Sequence, residues 1–360
     1  MLDVLMPPPN EPVRGIIIPF PAAAIRKPPT PAFVTRPAFR VPPRGRMALA
    51  WFAVGSLVTA LLAALLVAGA ASRAARLHGG RSGAVPGPAL RTTVPGSVNL
   101  LIAGLDAEDG TRAGAPSDAV ALLHLDAARE QAWLVSIPRD ARVTLPGHGD
   151  RRIEAAYELG GPALLVATFE RLSRLPVDHV AVIDRTGLRR LTDGVGGVAL
   201  ELDPPAGSDA RHGSLALEVN GAMAVDYVSE LERSPAGDLD HIRREHRYLR
   251  ALFAQLDQRG TLGDPPAFRD LATALGGSMR VDAALAPDVL RTLLESTQHL
   301  RAGDVTLLTA PVVLSGLPSG PAIVRPEASG CAQLWDALAH DEMPAFVAAH
   351  PELVTPQPEP

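Results

Sequence analysis

The chain has 360 residues, 47% of them apolar and 20% charged, with a formal net charge of −5. That much apolar material supports at least one large buried core and excludes a disordered chain, and the mildly negative balance excludes a general nucleic-acid binder. The single cysteine, Cys331, excludes an intramolecular disulfide framework and reads as a small buried hydrophobe.

Residues 1–46 are rich in proline and arginine and offer no periodic apolar face, so they read as an extended tail. Residues 47–72 carry no charged side chain and are dense in Leu, Ala and Val, which is long enough to cross a bilayer, for which about 20 apolar residues are needed. The basic excess before this stretch keeps the N-terminus cytoplasmic by the positive-inside rule. A cleaved signal peptide is the rival reading, but the leading segment and the apolar run are both too long for one. Residues 73–96, with Gly79-Gly80, Gly83 and Pro86-Gly87-Pro88, form a flexible linker, and a single extracytoplasmic domain of mixed type follows over 97–345.

That domain opens with three apolar runs of strand length: Val98–Ala103, Ala119–Leu125 and Ala132–Ile137. The six-residue link Asp126–Gln131 is too short for a crossover helix, so the second and third runs pair antiparallel. Asp118 then stands beside Arg139 and Asp140 at one end of the sheet. An antiparallel first strand brings Asp106 there too.

A short helix ending at Gly160-Gly161 comes next, and Pro162 starts another with Leu165, Phe169 and Leu172 on one face. Val177–Ile183 is a strand, Thr186–Thr192 a helix, Val198–Leu202 and Leu215–Val219 strands, and Asn220-Gly221 opens a brief helix. Asp238 or Asp240 caps a longer helix with Ile242, Leu249, Leu252 and Phe253 at helical spacing. Helical patterns at Ala267–Leu275 and Asp288–Leu294, a strand at Val305–Leu308 and a helix at Ala332–His340 complete the domain, and 346–360 reads as a proline-rich tail. His124 and His179 sit in strand patterns as structural histidines, and no histidine spacing resembles a zinc site.

Asp106 and Asp118 are the candidate metal ligands, because magnesium is usually held by one or two carboxylates and fills its shell with phosphate oxygens and water. Arg139 is aimed outward by Pro138, and its guanidinium can grip a phosphate with two parallel hydrogen bonds. Arg243 and Arg244, near a helix N-terminus, are candidate phosphate contacts as well. No serine nucleophile elbow, Walker loop or dinucleotide fingerprint is present.

The succession Asn99-Leu-Leu-Ile-Ala-Gly-Leu-Asp106, Ser117-Asp118, Ser136-Ile-Pro-Arg-Asp140, Ile153-Glu-Ala-Ala-Tyr157 with Gly160-Gly161, and Asp193-Gly-Val-Gly-Gly197 resembles the LytR-CpsA-Psr family. The resemblance implies an α/β fold, a three-layer α/β/α arrangement with a central mixed sheet, after one N-terminal transmembrane helix. It also implies a pocket for a polyprenyl chain and transfer of a glycopolymer from a polyprenyl diphosphate carrier to peptidoglycan, with Mg2+ bridging the diphosphate. By this resemblance Asp106 and Asp118 are the metal-side carboxylates, Asp106 and Arg139 catalytic, and Arg139, Asp140, Asp238, Arg243 and Arg244 diphosphate contacts.

The chain departs from the family at several cations. The arginine before Ser-Asp is Pro116 here, the Arg-x-Arg after Tyr-Val is Ser229 and Leu231, the Gly-Arg of the later segment is Asp240-His241, and its two glutamines are Glu245-His246. Arg112, Arg233 and Arg243 are the nearby substitutes. Two functions follow: a membrane-anchored glycopolymer phosphotransferase, or a catalytically degenerate member that binds polyprenyl lipid or wall polymer as a scaffold.

Overall fold

A computed structural model of the chain describes residues 91–107, 116–202, 215–229, 237–258, 279–285, 287–297, 300, 302–315 and 323–355. The expected tail 1–46, the span 47–72, most of the linker, the Ala267–Leu275 helix, Arg112 and Arg233 lie outside these residues. Among the described residues no helix is long and apolar enough to cross a membrane.

The three opening strands form and pair as expected. β1 (Val98–Leu105), β2 (Ser117–Leu125) and β3 (Ala132–Ile137) run antiparallel to one another in order. The β2–β3 link closes on itself: the Asp126 N–H donates to Gln131 O at 3.3 Å, and the Gln131 N–H to Asp126 Oδ1 at 3.1 Å. β4 (Arg142–Leu145) and β5 (Gly149–Arg152) form a small ribbon, and α1 (Glu154–Ser173) follows. The helix breaks where the glycines stand, at Gly160 (φ −149°) and Gly161 (φ +61°), and resumes at Pro162. A Cβ on Gly160 would lie 2.5 Å from Leu164 Cβ, so the break requires glycine.

β6 (His179–Asp184) returns parallel to β1 and leads into α2 (Arg185–Gly194). β7 (Val198–Leu202) and β8 (Leu215–Val219) make a second ribbon, followed by α3 (Gly221–Ser229) and α4 (Gly237–Gln258). α4 starts at Gly237, before either aspartate expected to cap it, so Asp238 and Asp240 fall within its first turn and not at its N-cap. Then come β9 (Met279–Val281), α5 (Pro287–Thr297), β10 (Val305–Thr309), the ribbon of β11 (Val312–Ser315) and β12 (Ile323–Pro326), α6 (Ala328–Ala339) and α7 (Met343–Ala349).

The main sheet has the order β10-β3-β2-β1-β6-β9 and is mixed, parallel at β10–β3 and β1–β6 and antiparallel elsewhere. Its central strands are covered on both faces, which is why they read as continuous apolar runs. Leu100, Leu123 and Leu134 pack against Leu252 and Phe253 of α4 on one side. Leu101, Leu122 and Val135 pack against Phe169 of α1 and Trp335 of α6 on the other. The three-layer α/β/α arrangement is therefore the one expected.

The C-terminal segment is ordered further than its proline content suggests. α7 buries Met343 and Phe346, Val354 bridges Leu308, and the Thr355 N–H donates to Leu307 O at 2.9 Å. Packed residues thus continue past 345 to Thr355, held by these apolar side chains and the contact with β10. Cys331 is buried as a small hydrophobe, and burial pushes its thiol up to about 12. His124 sits between Asn99 Oδ1 (2.8 Å) and Asp341 Oδ1 (3.0 Å), a fully satisfied structural histidine.

Candidate active site

Sheet register builds the rim. Gly104 stands opposite Ala119 and Leu105 opposite Ser117, so Asp118 is the extra residue of a β-bulge in β2. Bulges re-aim a side chain where a strand pairing ends. Asp118 pairs with Arg139 Nη1 across the rim, with both side chains about four-fifths buried (19% and 17% exposed). The loop carrying Arg139 is pinned to the start of α1: the Ala141 N–H donates to Pro138 O at 2.9 Å and the Glu154 N–H to Arg139 O at 3.1 Å. Asp140 follows, and its Oδ1 is buried with no hydrogen-bond partner. Asp106, just past β1 and 45% exposed, pairs with Arg185 Nη2 at 2.6 Å.

Behind this rim lies a cavity, open to solvent, between the sheet and α2, α3 and α4. Ile102, Leu123, Leu134, Leu188, Leu252 and Leu256 are among its apolar walls, and Tyr248 lines it with the hydroxyl tied to Thr192 at 2.8 Å. Asp118, Ser136, Asp184, Arg185, Ser229 and Glu245 supply its polar part. Such a shape suits an apolar chain inside and a charged head at the entrance.

The later segment is arranged differently from expectation. Arg243 is not brought to the rim in this structure: it pairs with Asp240 at 2.8 Å, and its side chain is 66% exposed. Its position on α4 directs it to solvent, one helical turn from its acidic partner. Arg244 is buried but is not a lining residue, and Asp238 lies in the first turn of α4. Glu245, in contrast, does line the cavity, 3.1 Å from His241. His246 bridges Ser136 Oγ (2.8 Å) and Thr355 Oγ1 (2.5 Å), and burial, aided by Arg250, pushes it down to about 3, so it is neutral.

Arg185 is the cavity-lining cation that sequence reasoning missed. It opens α2 behind the N-cap Asp184, whose carboxylate accepts the Gly187 N–H at 2.7 Å. A cation in the first turn of a helix opposes the dipole, and that local misfit was the available signal.

The donor set suits a hard divalent cation. Four carboxylates, Asp106, Asp118, Asp184 and Glu245, stand in or next to the cavity lining, with Arg139 paired to Asp118 and Arg185 to Asp106. Among the described residues no group of three or more His, Cys, Asp or Glu side chains is arranged around one metal position. Magnesium needs fewer, since substrate oxygens and water complete its shell. The orphaned Asp140 oxygen adds an acceptor with nothing to accept from, which a bound cation or its hydration shell would satisfy.

The model of the LytR_cpsA_psr family matches residues 69–336. The chain belongs to the LytR-CpsA-Psr family. A relative from Corynebacterium glutamicum named "Probable cell wall biosynthesis protein LcpB" is 34% identical over 208 residues, 52% of this chain and 49% of its own. The polyisoprenyl-teichoic acid–peptidoglycan teichoic acid transferase TagU of Halalkalibacterium halodurans is 31% identical over 191 residues, 52% of this chain and 61% of its own. The chain thus spans about half to three-fifths of the length of these curated relatives. Among solved structures, TagT bound to LI-WTA matches with a TM-score of 0.53 at 21% identity, covering 70% of this chain and 97% of that one. A LytR-Csp2A-Psr enzyme from Actinomyces oris matches with a TM-score of 0.54 at 20% identity, covering 74% and 97%. At those identities the likeness establishes the fold. In this LytR-CpsA-Psr chain Asp106, Asp118, Arg139 and Asp140 lie at one end of the sheet, and of the later segment Glu245 lines the cavity while Arg243 and Arg244 do not.

Proposed function

We propose that this chain transfers a glycopolymer from a polyprenyl diphosphate carrier to peptidoglycan, outside a membrane in which residues 47–72 anchor it. The observation that carries the reading is an apolar cavity lined by Asp118 and Arg185, each paired with an opposite charge just beyond the lining, Arg139 and Asp106. Relatives named as polyisoprenyl-teichoic acid–peptidoglycan teichoic acid transferases support it. The cavity holds the polyprenyl chain and keeps water from the lipid side of the diphosphate. Arg139 binds a phosphate oxygen, and the pinned loop fixes its direction before substrate arrives, so catalysis draws on positioning and charge neutralisation. Asp106 and Asp118 would hold Mg2+, which supplies positive charge against the diphosphate. A hydroxyl of the acceptor glycan attacks the phosphorus nearest the sugar, the bond from that phosphorus to the bridging oxygen breaks, and polyprenyl monophosphate leaves. Asp106, the more exposed carboxylate, takes the hydroxyl proton.

The test is release of polyprenyl monophosphate from a polyprenyl diphosphate-linked saccharide by the purified full chain, with and without Mg2+ and a peptidoglycan acceptor. Mg2+-dependent release that Asp106→Asn abolishes supports transfer. Lipid binding without turnover in any condition refutes it and favours the second reading, a binding or scaffolding member. That reading draws on Pro116, Ser229 and Glu245, which stand where family cations or amides are expected.

A further inference from the structure

We infer that Arg185 contacts the diphosphate directly and replaces, from β6–α2, positive charge that the chain has lost elsewhere around the mouth; the inference rests on the proposed carrier. Three observations on this side chain converge. It lines the cavity where the apolar walls give way to polar groups, and it reaches Asp106 Oδ1 at 2.6 Å. Its Nε is buried with no hydrogen-bond partner, whereas buried donors are ordinarily satisfied. The third is energetic: Arg185 opens a ten-residue helix, the end at which a cation opposes the dipole, so helix stability does not account for an arginine there. Local misfits of this sort concentrate at functional sites.

Placement follows from the sheet. β6 runs parallel to β1 with Asp184 opposite Leu105, so the residues just past each strand, Arg185 and Asp106, are delivered together to the same edge of the cavity. The Arg185 N–H also donates to Ala107 O at 3.0 Å, which ties the start of α2 to the end of β1. With Nη2 on Asp106, the guanidinium can keep the carboxylate while another of its N–H groups donates to a phosphate oxygen. Arg139, paired with the cavity-lining Asp118, approaches from the end of β3. The two guanidiniums therefore approach from strands on opposite sides of β1 and β2, a spread that matches two phosphoryl groups better than one.

The experiment measures binding by the full chain in detergent micelles with Mg2+ present, using a short-chain polyprenyl diphosphate and the corresponding monophosphate. Wild type is expected to favour the diphosphate. Arg185→Gln should weaken diphosphate binding by roughly ten- to hundredfold, the worth of one charge-assisted hydrogen bond, and monophosphate binding far less. Arg185→Lys, which keeps the charge but not the planar fork, should fall between them. Circular dichroism melting verifies that both variants are folded. Equal discrimination by wild type and both variants overturns the role of Arg185 alone. A wild type that binds neither lipid overturns the carrier reading, and this inference with it.

Discussion

Removing the Arg139 guanidinium should damage stability and chemistry by separate routes, and a second substitution can pull them apart. In Arg139→Gln the Asp118 carboxylate, four-fifths buried, loses its counter-charge. Stripping one partner from a fully buried pair costs about 3–5 kcal/mol, whereas an exposed pair is worth about 0–1 kcal/mol. For this partly buried pair the expected loss is about 1–3 kcal/mol, a fall in Tm of roughly 2–10 °C for a domain of this size. Asp118→Asn in the same chain removes the stranded charge, so the double variant should recover most of that stability in urea titrations. Turnover behaves otherwise. A lost charged phosphate contact of about 1.5–3 kcal/mol lowers kcat/KM roughly ten- to hundredfold, and the neutral asparagine returns none of it. Steady-state release of polyprenyl monophosphate, corrected for folded fraction, reads the second effect. A double variant that regained activity along with stability would refute the argument, because Arg139 would then act only as the counter-charge of Asp118.

Asp282 accepts the N–H groups of Val180 (2.8 Å), Ala284 (2.8 Å) and Leu285 (3.0 Å), and lies 3.4 Å from His179. Burial pushes its carboxyl up, but His179 and the backbone donors together outweigh burial and hold it below the usual range. Its folded pKa is thus depressed, so its contribution is present above the unfolded value and is lost as pH falls through the folded one; the advantage of wild type over Asp282→Asn in urea midpoints should shrink below about pH 4. His246, neutral when folded with a value of about 3, is protonated more readily unfolded, so the domain should lose stability as pH falls below about 6.5, by up to about 1.4 kcal/mol per unit. His246→Gln should flatten that limb, measured by denaturant titration between pH 4 and 7.5. Ala121→Phe places a ring in the cavity from β2 and should weaken polyprenyl diphosphate binding about tenfold or more while changing stability by about 1 kcal/mol or less, since open space receives the ring. Unchanged lipid affinity in a folded Ala121→Phe chain would move the lipid out of this cavity.

The sequence by itself determined the strands β1 to β3 and the antiparallel pairing of β2 with β3, because a six-residue link leaves no other way to pair two apolar runs; the direction of β1 came from the structure. From the pairing of β2 with β3 the meeting of Asp118 with Arg139 followed without coordinates. The break at Gly160-Gly161 and the buried thiol of Cys331 were legible for a different reason, since each depends on the residues' own chemistry. Only the tertiary structure decided what depends on register between distant segments. The parallel pairing of β1 with β6 sets Leu105 against Asp184 and so joins Asp106 to Arg185, and the bulge at Asp118 is a single-residue slip between strands. The solvent-facing turn of Arg243 and the anchoring of Thr355 on His246 likewise follow from packing around α4. Local propensity carries no record of which residues end up opposite one another across a sheet, and at this rim that opposition is what assembles the charges.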